Sequence, residues 1–144
     1  MSKNNLIVKE NHFLNQVVGI MRKLVIISTV FLTLSGLLLH WWDIESDWVI
    51  PTASTLHIWV GMFFVVIFPL YAWDHIKTHK RRLKQISGVT LSGLSQLAVG
   101  VVLIVSGIVL LLFGTDRLLY STEIHHYFTY PLIIALVWHF MSKK

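Results

Sequence analysis

The stretch Ile124–Met141, reading IHHYFTYPLIIALVWHFM, decides the fold. It is apolar except near its ends, and each end carries a histidine, His125 and His139, just under four helical turns apart. On an α-helix that spacing is about 21 Å of rise and roughly 40° short of whole turns, so both rings leave the same face. A hydrocarbon layer about 30 Å thick sets each ring roughly 4–5 Å beneath a surface, one in each leaflet. Two metal centres at those depths are placed to relay an electron across a membrane.

The surrounding chain is 55% hydrophobic and only 13% charged, which speaks for an integral membrane protein and against a water-soluble domain. Three further apolar stretches, Leu24–Trp42, Leu56–Trp73 and Leu91–Phe113, each have about the 17–25 residues of a spanning helix. The expected fold is therefore all-α, a four-helix transmembrane bundle over residues 24–144, preceded by a cytoplasmic or interfacial segment over residues 1–23. The first apolar stretch is too long for a signal h-region and has no small-residue cleavage site after it, so it reads as a retained helix. There is no cysteine. Disulfides, iron–sulfur clusters, thiol catalysis and covalently attached c-type haem are excluded, and any cofactor must be held by histidine and shape.

The net charge of +5 is unevenly spread. Eleven of the twelve basic residues flank the start of helix one, the end of helix two or the end of the chain, and Arg117 alone falls on the other side. Under the positive-inside rule both termini and the middle loop are cytoplasmic. The run around Lys80 then serves as a topology signal, and no nucleic-acid partner is expected.

Helix two answers the closing stretch. It opens His57-Ile-Trp59-Val-Gly61 and ends with His75 and His79. Helices two and four cross the membrane in the same direction, so His57 shares the depth of His125, and His75 lies near that of His139. His57 and His75 are five whole turns apart, about 27 Å, some 6 Å more than the pair on helix four. A kink or tilt at Pro69 is expected to absorb the excess. Tyr71, which follows His57 at the interval that separates His125 from His139, matches the depth best but is not an expected ligand. The metal-ligand candidates are thus His57, His75, His125 and His139.

Helix three carries Gly93, Gly100, Gly107 and Gly114 at intervals of seven, which makes one bare stripe. The stripe is expected to make room for flat macrocycles, with close helix packing through small residues as the alternative. An internal repeat links Ser35-Gly36 on helix one with Ser106-Gly107 on helix three, each followed about 20 residues later by an outer histidine, so two similar hairpins should pack with helices two and four facing each other. His126 lies roughly 140° from His139 in helical phase and should point elsewhere. His12 reads as a surface residue, and His40 as a residue near the membrane boundary.

Together these residues resemble the prokaryotic four-helix dihaem cytochromes b that serve as membrane subunits of formate dehydrogenases, nickel–iron hydrogenases and flavin-linked reductases. His57-x-Trp59-x-Gly61 is similar to the second-helix motif of the flavinylation-associated branch, and His125-x13-His139 resembles the paired ligands of the fourth helix. The resemblance spans residues 24–141 and implies two haem b groups. His57 and His125 would bind the outer one; His139 would bind the inner one, with His75 first, His79 second and His12 third as its partner. Gly61, Gly100 and Gly107 would border the cofactors, and Arg117 outside with Lys77 or Arg81 inside would meet the propionates. The chain departs from the family in two places. Several members take the inner partner from helix one, where only His12 stands here, and the flavin-linked branch often has histidine where this chain has Tyr71.

The implied function is transmembrane electron transfer, joining a quinone pool or a cytoplasmic donor to a partner on the outer side of a bacterial inner membrane, as a subunit of a respiratory oxidoreductase. A redox partner protein is expected, and the resemblance admits a quinone and an oligomer. Two other classes compete. One is a stand-alone membrane oxidoreductase in which His40, His126 or Arg117 forms a pocket for quinol or superoxide. The other is a non-haem membrane anchor or metal-ion transporter, which would favour carboxylates within the helices; Asp74 stands at a helix end.

Overall fold

The computed structural model describes residues 3–41, 49–80, 87–114 and 120–142, with side chains from residue 16 onward except those of 49 and 50. The described elements are α1 (Lys3–Trp41), α2 (Val49–Thr78), α3 (Gly88–Phe113), α4 (Ser121–Tyr127) and α5 (Thr129–Met141). There is no strand among the described residues. α4 and α5 are one bent span. The Phe128 N–H donates to the Ile124 carbonyl at 3.0 Å and the Leu132 N–H to the Phe128 carbonyl at 3.2 Å, so the helical ladder continues across the joint. Pro131 has no N–H to offer the Tyr127 carbonyl, and the break falls in that turn. The chain is a four-helix transmembrane bundle whose last span, expected as one helix, is interrupted at Phe128.

The boundaries shift for similar local reasons. α1 runs unbroken through residues 3–23, so no backbone break corresponds to the expected division at residue 24. Its 39 residues make about 58 Å, nearly twice a hydrocarbon layer of about 30 Å, and its residues Gln16–Trp41 are long and apolar enough to cross one. α2 starts at Val49 inside the expected loop. Pro51 falls in its first turn, where an absent N–H costs no helical bond, and the Thr55 hydroxyl donates to the Pro51 carbonyl at 2.8 Å. α2 then passes Pro69 without interruption. Ser87 caps α3 by accepting the Thr90 N–H at 3.3 Å. Gly114, at φ +70°, turns the chain out of the helix in a conformation that glycine adopts without strain.

α1 packs on α2 and α3 packs on α4 and α5; the two hairpins meet more lightly, chiefly through α2 and α3. The interior is small and hydroxylic. Buried apolar residues are Val25, Ile67 and Ala135, and beside them Ser28, Ser35, Ser92 and Ser106 are buried too. Large residues such as Leu112 and Ile134 stand 69% and 67% exposed. Water as solvent would reverse this arrangement, whereas lipid tails accept apolar faces and leave small and hydroxyl residues to pack the helices.

At mid-depth the ring of Phe68 enters the gap left by Gly100, where a Cβ would lie 2.7 Å from Phe68 Cζ. That gap takes a phenyl ring. Gly100→Val is expected to lower the thermal midpoint of the purified chain by an amount corresponding to about 1–3 kcal/mol, and Phe68→Leu should recover part of the loss. Equal losses in both backgrounds would show that the phenyl ring is not the obstacle.

Candidate functional site

A serine hydroxyl has one proton to give. Ser35 Oγ donates its proton to the Phe31 carbonyl one turn back, at 2.8 Å. It also lies 2.7 Å from His57 Nδ1. A hydroxyl proton given to its own helix would leave Ser35 to accept from the His57 Nδ1–H, with the ring's lone pair on Nε2. The same accounting holds on the other hairpin. Ser106 Oγ donates to the Val102 carbonyl at 2.8 Å and meets His125 Nδ1 at 2.9 Å. Towards the opposite end of the bundle, Ser92 Oγ donates to the Val89 carbonyl at 3.1 Å and meets His139 Nδ1 at 3.0 Å.

Each serine is followed by a glycine that admits the ring. A Cβ on Gly36 would lie 3.4 Å from His57 Cε1, one on Gly107 3.1 Å from His125 Cε1, and one on Gly93 4.0 Å from His139 Cε1. Three Ser-Gly/His units result, and Gly107 is the tightest. Interhelical hydrogen bonds average about 0.6 kcal/mol in membrane bundles. Their larger consequence is a fixed tautomer and ring direction, the arrangement that outer partners of metal-bound histidines provide.

His57 and His125 meet at the upper level, where α1 and α3 end and α2 and α4 begin. Their ring centroids are 6.2 Å apart with planes at 84°. Two metal–imidazole bonds of about 2.0–2.1 Å, added to the radii of two five-membered rings, come to roughly 6 Å. The centroid separation thus matches that of two imidazoles sharing one metal ion. Among the described residues no three His, Cys, Asp or Glu side chains converge on one point. Two opposed imidazoles are what a haem requires, because the macrocycle supplies four nitrogens of its own.

His139 stands at the lower level, nearly four turns below His125, and Ser92 is separated from Ser106 by the same interval. The sequence reading found the Ser-Gly pairs at 35–36 and 106–107 but missed Ser92. The signal was present, since Ser92-Gly93 precedes Ser106-Gly107 by the interval that also separates the two histidines.

The other candidates are placed differently. His75 is exposed and stacks between Tyr71 at 5.6 Å and His79 at 4.4 Å, all three on α2. The His79 Nδ1–H donates to the His75 carbonyl at 3.1 Å. A Cβ on Gly61 would meet Leu32 Cδ2 at an ordinary 3.9 Å, so Gly61 belongs to the α1–α2 packing. Lys77 holds its ammonium 4.8 Å over the Trp73 ring. His40 and His126 stack with centroids 3.4 Å apart, and Tyr130 Oη lies 3.3 Å from His126 Nε2, so His126 points away from the three units. Arg117, Arg81 and the side chain of His12 lie outside the described residues.

No protein family, curated protein or solved structure matches the chain. The functional reading therefore rests on the geometry of the three units.

The tautomers are directly testable. Nitrogen NMR of histidine-labelled protein without metal should give His57, His125 and His139 the Nδ1–H pattern. Ser35→Ala should mix the tautomers of His57 alone, and an unchanged His57 signal would refute the hydroxyl's role.

Proposed function

We propose that the chain carries electrons across a membrane through two b-type haems, the upper one held by His57 and His125 and the lower one by His139. The single observation behind this reading is the upper pair: two imidazoles from separate hairpins, each set by a serine in the Nδ1–H tautomer, with centroids 6.2 Å apart. A bound haem supplies a one-electron iron couple, and two axial imidazoles leave no open position, which favours electron transfer over oxygen chemistry.

The residues divide the work simply. Ser35 and Ser106 hold the ring directions. Gly36 and Gly107 allow the rings to sit close to α1 and α3. An exterior of large apolar side chains supports both levels lying within the hydrocarbon, about 21 Å apart along the helices. The basic residues near the ends of the chain support a cytoplasmic lower side and an outer upper side, in a bacterial inner membrane. The chain would then serve as the electron-transfer subunit of a respiratory oxidoreductase, with a redox partner protein on the outer side.

Purified full-length protein should contain two haem b per chain by pyridine haemochrome assay and show a low-spin reduced-minus-oxidised spectrum. His57→Ala or His125→Ala should remove one haem, while Ser106→Ala should weaken its binding about 10–100-fold. Protein free of haem after expression with ample haem supply would overturn the proposal.

A quinol-oxidising activity at the upper centre is a second reading, favoured by the stacked His40–His126 pair one residue beyond His125. The pair offers ring N–H groups for a quinone oxygen at the membrane edge. A soluble quinol should reduce the upper haem of the isolated chain, with the rate falling at least tenfold in His40→Ala. Equal rates in both proteins would exclude this second site.

A further inference from the structure

The lower end of α2 carries a second group of metal-ligating side chains, separate from the three Ser-Gly/His units. His75 and His79 are one helical turn apart, so both leave the same face of the helix. Their ring centroids are 4.4 Å apart, with planes inclined by 34°. Two imidazoles on one ion, with metal–nitrogen bonds of about 2.0–2.1 Å, have centroids about 4.5 Å apart when the bonds meet at right angles and about 5.2 Å apart when they are tetrahedral. The pair has the spacing of two neighbouring ligands, whereas His57 and His125, at 6.2 Å, have that of ligands on opposite sides of a metal.

Each ring is also held. The His79 Nδ1–H donates to the His75 carbonyl at 3.1 Å, and a carbonyl only accepts, so the lone pair of His79 is on Nε2. A backbone carbonyl on the other ring nitrogen is a common support of metal-bound histidine. Tyr71 backs His75 from the preceding turn, with centroids 5.6 Å apart and planes inclined by 26°. Lys77, which stands between the two histidines in sequence, is on the opposite face of α2, where its ammonium lies 4.8 Å over the Trp73 ring. Depth decides what else reaches the pair. His75 is about 27 Å below His57 along α2, at the lower boundary of a layer about 30 Å thick when His57 is about 4–5 Å beneath the upper one, and His79 is about 6 Å further out. Among the described residues no third His, Cys, Asp or Glu joins them, so the remaining ligand positions open to water.

We propose that His75 and His79 chelate one divalent first-row transition-metal ion at the lower membrane surface, with water completing its shell. Neighbouring ligands at right angles, with nitrogen and oxygen donors, suit tetragonal Cu2+ or Ni2+ better than tetrahedral Zn2+, and Cu2+ should bind most tightly. The assignment does not depend on the haems. It removes His75 from the partners open to His139 and ties the last turn of α2 to the one before it.

The test uses the full chain, purified from membranes without an affinity tag, stripped with a chelator and titrated with Cu2+ and Ni2+. One ion per chain is expected, with a Cu2+ paramagnetic resonance spectrum split by two imidazole nitrogens. His75→Ala and His79→Ala should each weaken binding about tenfold or more and leave haem content unchanged. His79→Ala combined with Lys80→His keeps the number of histidines but sets the new ring about 140° from His75, and should not restore tight binding. His40→Ala, in the stacked upper pair, should leave the titration as it is. Copper held equally well by both single variants, or lost in His40→Ala, would overturn the site. Haem lost in His75→Ala would overturn it too, by giving His75 to the lower level, and would leave the electron-carrier reading standing. A chain without haem that still binds one Cu2+ through both histidines would support the site while refuting that reading.

Discussion

The arrangement depends on one hydrogen bond used three times, from an imidazole Nδ1–H to a serine oxygen whose own proton is already given to its helix. Because the hydroxyl has one proton, the bond has only one polarity, and every ring it holds presents Nε2 as its basic nitrogen. Glycine beside each serine lets the ring approach the neighbouring backbone closely, most of all at Gly107. Each hairpin orients its own histidines, since Ser35 and His57 belong to one and Ser92, Ser106, His125 and His139 to the other. The hairpins then have to meet only loosely for two preset rings to face each other across a gap suited to a metal.

Lipid as solvent makes this inexpensive. A water-soluble bundle of this size would fill its centre with large apolar side chains, and four buried serines would displace them. Here the large side chains face outward, Ser35, Ser92 and Ser106 donate to carbonyls of their own helices and meet the histidines, and no buried polar side-chain atom among the described residues lacks a partner. Between the two levels the interior closes on Ile67, Ala135 and the ring of Phe68 seated against Gly100. Polar groups in that layer include the buried Ser28 and Gln96, whose amide donates to the Ala135 carbonyl at 3.0 Å.

Much of the fold was legible because hydrophobic length dictates spans, and the histidines on α2 and α4 were legible because helical rise converts sequence interval into depth. Local chemistry was harder to read. Pro51 looked like a loop residue because a first-turn proline and a loop proline share the same flanking sequence, and only the hydrogen bonding of the following turn separates them. Pro131 was visible, but whether a proline bends a span or passes through it, as Pro69 does, depends on how neighbouring helices support the freed carbonyl. The glycine stripe was read as a groove for macrocycles or for close helix packing; in the structure Gly93 and Gly107 lie against imidazoles, Gly100 against a phenyl ring, and Gly114 ends the helix. Spacing revealed that the positions were equivalent; it did not reveal that their occupants alternate. Ser92 escaped notice because serine is common in small-residue helix contacts, and its role emerges only when the interval to Ser106 is compared with that between the histidines.

The broken symmetry of the repeat bears on what the proposed carrier would do with energy. Two identical centres would exchange an electron with no intrinsic preference, and the membrane potential alone would set the direction. A full crossing is worth about 2.3 kcal/mol per 100 mV. Levels about 21 Å apart in a layer of about 30 Å would span roughly 1.6 kcal/mol of it. A difference between the surroundings of the two levels large enough to exceed that would hold the direction against an opposing potential. The first hairpin has Met21-Arg22 and Tyr71 at the sequence positions where the second has Ser92-Gly93 and His139, so the repeat is unequal at its lower end.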